Sequence, residues 1–187
     1  MAFNAKKVYR YIQNHRKGVG LLVFLLFYFL AFYLDSNPWA SYYVPKEKVW
    51  REVQEVAAEK DLDPEFVYAI AWAESSLNAH AHTHVARGMM QMTHDAWNRV
   101  SRATWRDAYD WEINLDAACC YLVALRNELK SDLQKEPTNA QLAGAYRYGF
   151  SKLKSCGFDV QSLPKTNNQI YQKIFAGDSS PVITPNN

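Results

Sequence analysis

Glycine and proline are scarce in this chain of 187 residues, seven of each, and there are only three cysteines. With 49% apolar and 21% charged residues, the composition is that of a globular chain. Its length allows one domain of ordinary size and an appendage. Cys119, Cys120 and Cys156 match no zinc-ligand spacing. Adjacent Cys119 and Cys120 point to different faces of a helix, so at most one easily reaches Cys156. One disulfide and three buried thiols both stay open. There is no internal repeat. Basic residues are not in excess beyond position 17, where 16 bases face 19 acids. A weakly acidic body lacks the basic face that a nucleic-acid partner requires.

The one strongly basic stretch is the start. Lys6, Lys7, Arg10, Arg16 and Lys17 put +5 on residues 1–17, with no acid among them. The next run, "GVGLLVFLLFYFLAFYL" at 18–34, has no charge and no amide. Its 17 residues are near the lower limit for spanning about 30 Å of hydrocarbon at about 1.5 Å per residue. A cleaved signal would have shorter basic and apolar parts and a small-residue cleavage site. The sequence around Leu34 and Asp35 is a poor one, which favours an uncleaved transmembrane signal-anchor. No cysteine follows the run, which excludes a bacterial lipoprotein. The basic flank stays cytoplasmic, so the remainder is expected in the periplasm of a single-pass inner-membrane protein, with secretion after cleavage as the alternative. Residues 35–45 read as a linker, with Trp39, Tyr42 and Tyr43 suited to the membrane interface.

From Pro45 the pattern is helical, with almost no strand. Val49, Val53, Val56 and Ala57 fall at helical spacing. "DLDPEF" opens a second helix with Asp63 as N-cap and Pro64 in the first turn. It runs to about Glu74. Residues 76–93 show no periodic pattern and read as a loop-rich segment. A short helix follows Thr93, and a long one begins near Glu112, its inner stripe expected at Ile113, Ala117, Cys120, Tyr121, Ala124 and Leu125. Thr138 caps a further helix that stops at Gly149. The last helix spans roughly 168–175, and 177–187 reads as a flexible tail.

One stretch calls for chemistry. "YAIAWAESS" at 68–76 ends an apolar helix in Glu74. Burial and the negative helix end both disfavour the anion, so the carboxyl pKa should rise. A carboxylic acid kept protonated near neutral pH is what glycosidic cleavage needs as general acid. A helix-end glutamate turning back to water is the plainer reading.

Further motifs follow in order: "GMMQM" at 88–92, "EINLDAACCYLVAL", "AGAYRYG" and "NNQIYQKI". Together with "ESS" they resemble the lytic transglycosylase family, in the branch of soluble lytic transglycosylase and goose-type lysozyme. The resemblance covers 48–176 and implies a mainly α, lysozyme-like domain over 46–176. It implies Glu74 as catalytic acid and base, and Ser75, Met90, Gln91, Tyr146, Arg147 and Tyr171 along the substrate. It makes Tyr171 the partner that approaches Glu74, and Asn114 a structural residue at the start of the long helix. Three departures stand out. Arg147 replaces the family's asparagine and could meet a peptide carboxylate. Asn78-Ala79 replaces Asn-Pro. The step from Glu74 to Gly88 is about one residue shorter than usual.

The implied reaction cleaves peptidoglycan between N-acetylmuramic acid and N-acetylglucosamine, leaving 1,6-anhydro ends. Asp95, Asp107, Asp110 and Glu112 are the candidates for a second carboxylate, and none sits in a motif that aims it at Glu74. His80, His82 and His84 are metal-ligand types, but loop histidines are usually solvated, and no metal or cofactor is expected. The alternatives are a hydrolytic muramidase and a non-catalytic peptidoglycan-binding module of an envelope or secretion machine.

Overall fold

The computed structural model describes residues 24–28 and 42–185. The chain divides into two compact units, 1–41 and 42–187. In the first, residues 24–28 are helical. The transmembrane reading of 18–34 otherwise lies outside the described residues, as does Trp39. Among the described residues no helix is long and apolar enough to cross a membrane.

The second unit is helical. Helices α1 (Lys46–Glu59) and α2 (Pro64–Ser75) form a packed pair. The two-residue strands β1 (Ala86–Arg87) and β2 (Met92–Thr93) make a small antiparallel hairpin. Then come α3 (His94–Val100), the 23-residue α4 (Trp111–Leu133), α5 (Asn139–Tyr148), α6 (Phe150–Ser155) and α7 (Gln169–Phe175). α4 packs against α1, α3 and α5, while α7 closes over α2 and α5.

Local chemistry sets these boundaries. The Asp63 carboxylate accepts from the Glu65 and Phe66 amides with Pro64 in the first turn, satisfying otherwise orphaned donors. Thr93 caps α3, Asp110 caps α4, and Thr138 with Gln141 forms a capping box on α5. On α1, Val49, Trp50, Val53, Val56 and Ala57 are buried, each of the larger ones contributing roughly 1.5–3 kcal/mol.

The structure corrects or extends several expectations. The buried face of α4 is Asn114, Leu115, Ala117, Ala118, Cys119, Leu122, Leu125 and Leu129, with Ile113 39% exposed. Ala117 and Leu125 lie on it as expected, while Cys120, Tyr121 and Ala124 are only partly buried; apolar residues occupy both flanks of this helix, so spacing alone turned the stripe partly away from the core. Gly149 ends α5 as expected, and it is also the cap from which α6 starts, so the chain continues helical. The loop 76–93 contains the hairpin. Tyr42–Val44 is not a free linker: the Val44 amide donates to Leu77 O at 3.1 Å and the Ala79 amide to Tyr42 O at 2.7 Å. The tail is docked through residue 185: Pro181 and Thr184 are buried, Lys173 Nζ reaches Pro181 O at 3.3 Å, and the Ser180 hydroxyl donates to Glu65. The three cysteines are free thiols, and burial pushes that of Cys119 up to about 12.

Candidate active site

Phe66 to Ala71 are buried, so α2 runs through the core and delivers its last turn to the surface. Glu74 sits on that turn, its side chain only 13% exposed. The Tyr171 hydroxyl donates to Oε1, and Arg147 Nη1 lies 3.5 Å from the same oxygen. With both contacts on Oε1, Oε2 is the oxygen left to carry a proton. Burial raises the Glu74 pKa above its ordinary value, while Tyr171 and Arg147 pull in the opposite direction; the net shift is upward. Among the described residues no second acid contributes to it.

Tyr171 is fully buried on α7. Its place is set by Asn168, whose Oδ1 caps α7 and whose Nδ2 donates to Ala73 O at 2.7 Å. Asn168 therefore fastens the Tyr171 helix to the residue before Glu74. Its capping role is legible in "NNQIY", but the cross-link spans 95 positions and has no local signal.

The other wall is the turn at 88–91. Gly88 has φ +81°, and a Cβ there would lie 2.1 Å from Ala108 O and 2.4 Å from Asn114 Nδ2. Only glycine fits. Buried Asn114 accepts from the Met90 amide at 2.8 Å and donates to Arg87 O at 3.3 Å. From α5, the Tyr146 hydroxyl donates to Met90 O at 2.7 Å. One peptide segment is thus clamped from α4 and α5. Gln91 follows with φ +47°, its amide donating to Gly88 O at 3.0 Å.

These contacts revise several expectations. Met90 does not line a groove: Met89, Met90 and Met92 are all buried in the core, and Met90 acts through its backbone. Asn114 holds the 88–90 turn, while Asp110 caps the helix start. The Ser75 hydroxyl is committed to backbone, accepting from the Asn78 amide at 3.1 Å and donating to Ala71 O at 3.4 Å. Arg147 faces Glu74 of its own chain. Gln91, Tyr146 and Arg147 do share a cleft of about 270 Å³ with Tyr121, Tyr148 and Gly149.

The four other acids are occupied elsewhere or exposed. Asp107 accepts from Thr104, Asp110 caps α4, Glu112 pairs with Lys48, and Asp95 is exposed on α3. His80 stacks on Tyr42 with ring centroids 4.2 Å apart and on Tyr109 at 5.4 Å. Among the described residues no group of three histidines, cysteines or acids is placed to hold a metal.

No curated protein sequence matches the chain. The family model described as the transglycosylase SLT domain matches residues 51–169. That match contains the end of α2, the clamped turn, α4 and α5, and stops at the first residue of α7. With well over half of its length inside it, the chain belongs to the transglycosylase SLT domain family and is a lytic-transglycosylase-type protein directed at peptidoglycan.

Proposed function

We propose that the protein is a lytic murein transglycosylase, a carbon–oxygen lyase that cleaves the β-1,4 bond between N-acetylmuramic acid and N-acetylglucosamine, with Glu74 as its general acid and base. The observation that carries this reading is the largely buried Glu74 carboxyl, oriented by the buried Tyr171 hydroxyl and, among the described residues, acted on by no second carboxylate. Protonated on Oε2, Glu74 gives its proton to the glycosidic oxygen as the bond to the anomeric carbon breaks. The carboxylate then takes the proton of the muramic 6-hydroxyl, which attacks the anomeric carbon of its own ring. A 1,6-anhydro bond forms, and the acid is regenerated for the next cycle. No water is consumed. One residue serves both steps because the nucleophile is tethered to the electrophile, which removes the entropy cost of a second reactant. In this scheme Gln91 offers a donor and an acceptor to the sugar acetamido groups, Ser75 and Met90 shape the walls through the backbone, and the Tyr146 ring faces the cleft.

Purified sacculi digested with the wild-type protein should release muropeptides with 1,6-anhydro ends, each one water lighter than the product of a muramidase. Reducing ends would make the protein a hydrolase. Binding without cleavage would make it a peptidoglycan-binding module.

The same reading places the domain in the periplasm on an uncleaved anchor at 18–34, supported by the +5 flank and the charge-free run. Membrane fractions should hold the full-length chain. A soluble form starting near residue 36–41 would exclude the anchor.

A further inference from the structure

Arg147 is at odds with the acid it touches. A fixed cation beside a carboxyl favours its ionised form, the wrong state for a group that must donate a proton. Yet Arg147 Nη1 lies 3.5 Å from Glu74 Oε1, with the guanidinium 4.5 Å above the Tyr171 ring and 5.8 Å from that of Tyr148. The hold is slight. One nitrogen meets one oxygen at the limit of hydrogen bonding, so the two-pronged face that guanidinium offers a carboxylate is unused. The side chain is 30% exposed and lines the cleft with Gln91 and Tyr146. A single-point contact of this kind is exchanged when a second carboxylate offers the guanidinium its two-pronged pairing.

We propose that Arg147 is a substrate-operated latch on Glu74: it rests on the carboxyl in the free protein and is drawn off by a carboxylate of the muramic-acid stem peptide, so that peptide-bearing glycan is cut in preference to stripped glycan. This rests on the transglycosylase reading of Glu74. Arg147 is a positioning and specificity residue in this scheme, since it acts on the bond only through Glu74. The groups that face Glu74 are Arg147 and Tyr146 on α5 and Tyr171 on α7. Among the described residues no histidine or second acid joins them, so Arg147 is the one other charge beside the carboxyl. Its departure releases Glu74 to the upward pull of burial, and the acid becomes protonated as substrate seats.

The test uses the full-length chain in detergent, with the Glu74 carboxyl carbon followed by NMR through a pH titration. Added N-acetylmuramoyl-tetrapeptide should move the wild-type Glu74 titration to higher pH, and the same compound with amidated carboxyls should not. R147N should titrate higher from the start and be indifferent to the peptide; R147K, which keeps a charge without the planar fork, should fall between. In digests, the wild type should favour sacculi over sacculi stripped by an amidase, with the preference reduced toward equality in R147N. The high-pH limb of kcat/KM should move up in R147N. A wild-type titration unmoved by the peptide, or an equal movement in R147N, would overturn the latch. A peptide-dependent titration in a protein that releases no anhydro ends would uphold the exchange at Arg147 and overturn the reaction assigned to Glu74.

Discussion

Glu74→Gln keeps the shape of the side chain and an oxygen for the Tyr171 hydroxyl, but it can neither give nor take a proton. It should abolish release of anhydro muropeptides from sacculi while leaving the helical circular dichroism unchanged. It should also alter stability with a definite sign. The folded-state pKa of Glu74 is raised above the ordinary 4.5, so the wild type is at its most stable, for this group, while the carboxyl is protonated in both states. As pH rises through 4.5 the unfolded chain ionises first, and that contribution is lost until the folded carboxyl ionises too. Glutamine mimics the neutral acid at every pH. The melting temperature of Glu74→Gln should therefore match the wild type at acid pH, exceed it increasingly above the ordinary carboxylate range, and then level off. A constant difference across pH would show that Glu74 is not strained by burial. Tyr171→Phe removes one hydrogen bond to a charged or partly charged acceptor, worth roughly 1.5–3 kcal/mol. Expressed in the transition state, that is about ten- to hundredfold in kcat. Because this bond lowers the Glu74 pKa, the high-pH limb of the rate profile should also move up. A lowered melting temperature with an unmoved profile would make Tyr171 structural only.

The 88–91 turn stands or falls as an element. Gly88→Ala adds a methyl that meets backbone at Ala108 and a buried amide at Asn114, at a φ that side chains rarely adopt. A loss of about 3 kcal/mol or more is expected in denaturant unfolding. Asn114→Leu leaves the Met90 amide and Arg87 carbonyl without their partner and should cost about 1–3 kcal/mol. The order of elements was legible because it is written locally: Asp63-Pro64, Thr93 and Thr138-x-x-Gln141 each announce a helix start within four residues. The end of α2 was legible for the same reason, since an apolar helix closing on a carboxylate is a local pattern. What spacing could not convey is which flank of α4 turns inward, since Ile113 and Leu115 are equally apolar and only the packing of α1, α3 and α5 chooses between them. Nor could it show that Met90 presents its backbone, that Arg147 reaches Glu74 across 73 positions, or that Asn168 ties down Ala73 across 95. The hairpin escaped notice because strands of two residues have no period to detect.

At the scale of the whole domain, both ends of the helical body are fastened to α2 or the turn just beyond it. Tyr42–Val44 bridges to Leu77–Ala79, and Ser180 reaches Glu65 near the start of the helix. Ending the chain at Gly177 removes the buried Pro181 and Thr184 and should lower stability by about 1–3 kcal/mol in urea unfolding. If the shortened chain keeps its full stability, the docked tail contributes no net energy. The clamp on Met90 has a different consequence. Its amide hydrogen is held by an asparagine that is fully buried on α4, and its carbonyl by a tyrosine from α5, so exposing the amide requires a fully buried side chain to leave its place while the same residue stays anchored from a second helix. Local fluctuation does not achieve this, and the Met90 hydrogen should exchange with solvent deuterium at the rate set by global unfolding. That single amide is then an internal clock for the site: every substitution that slows cleavage but leaves the Met90 exchange rate unchanged has acted on the chemistry, and every one that quickens it has acted on the fold.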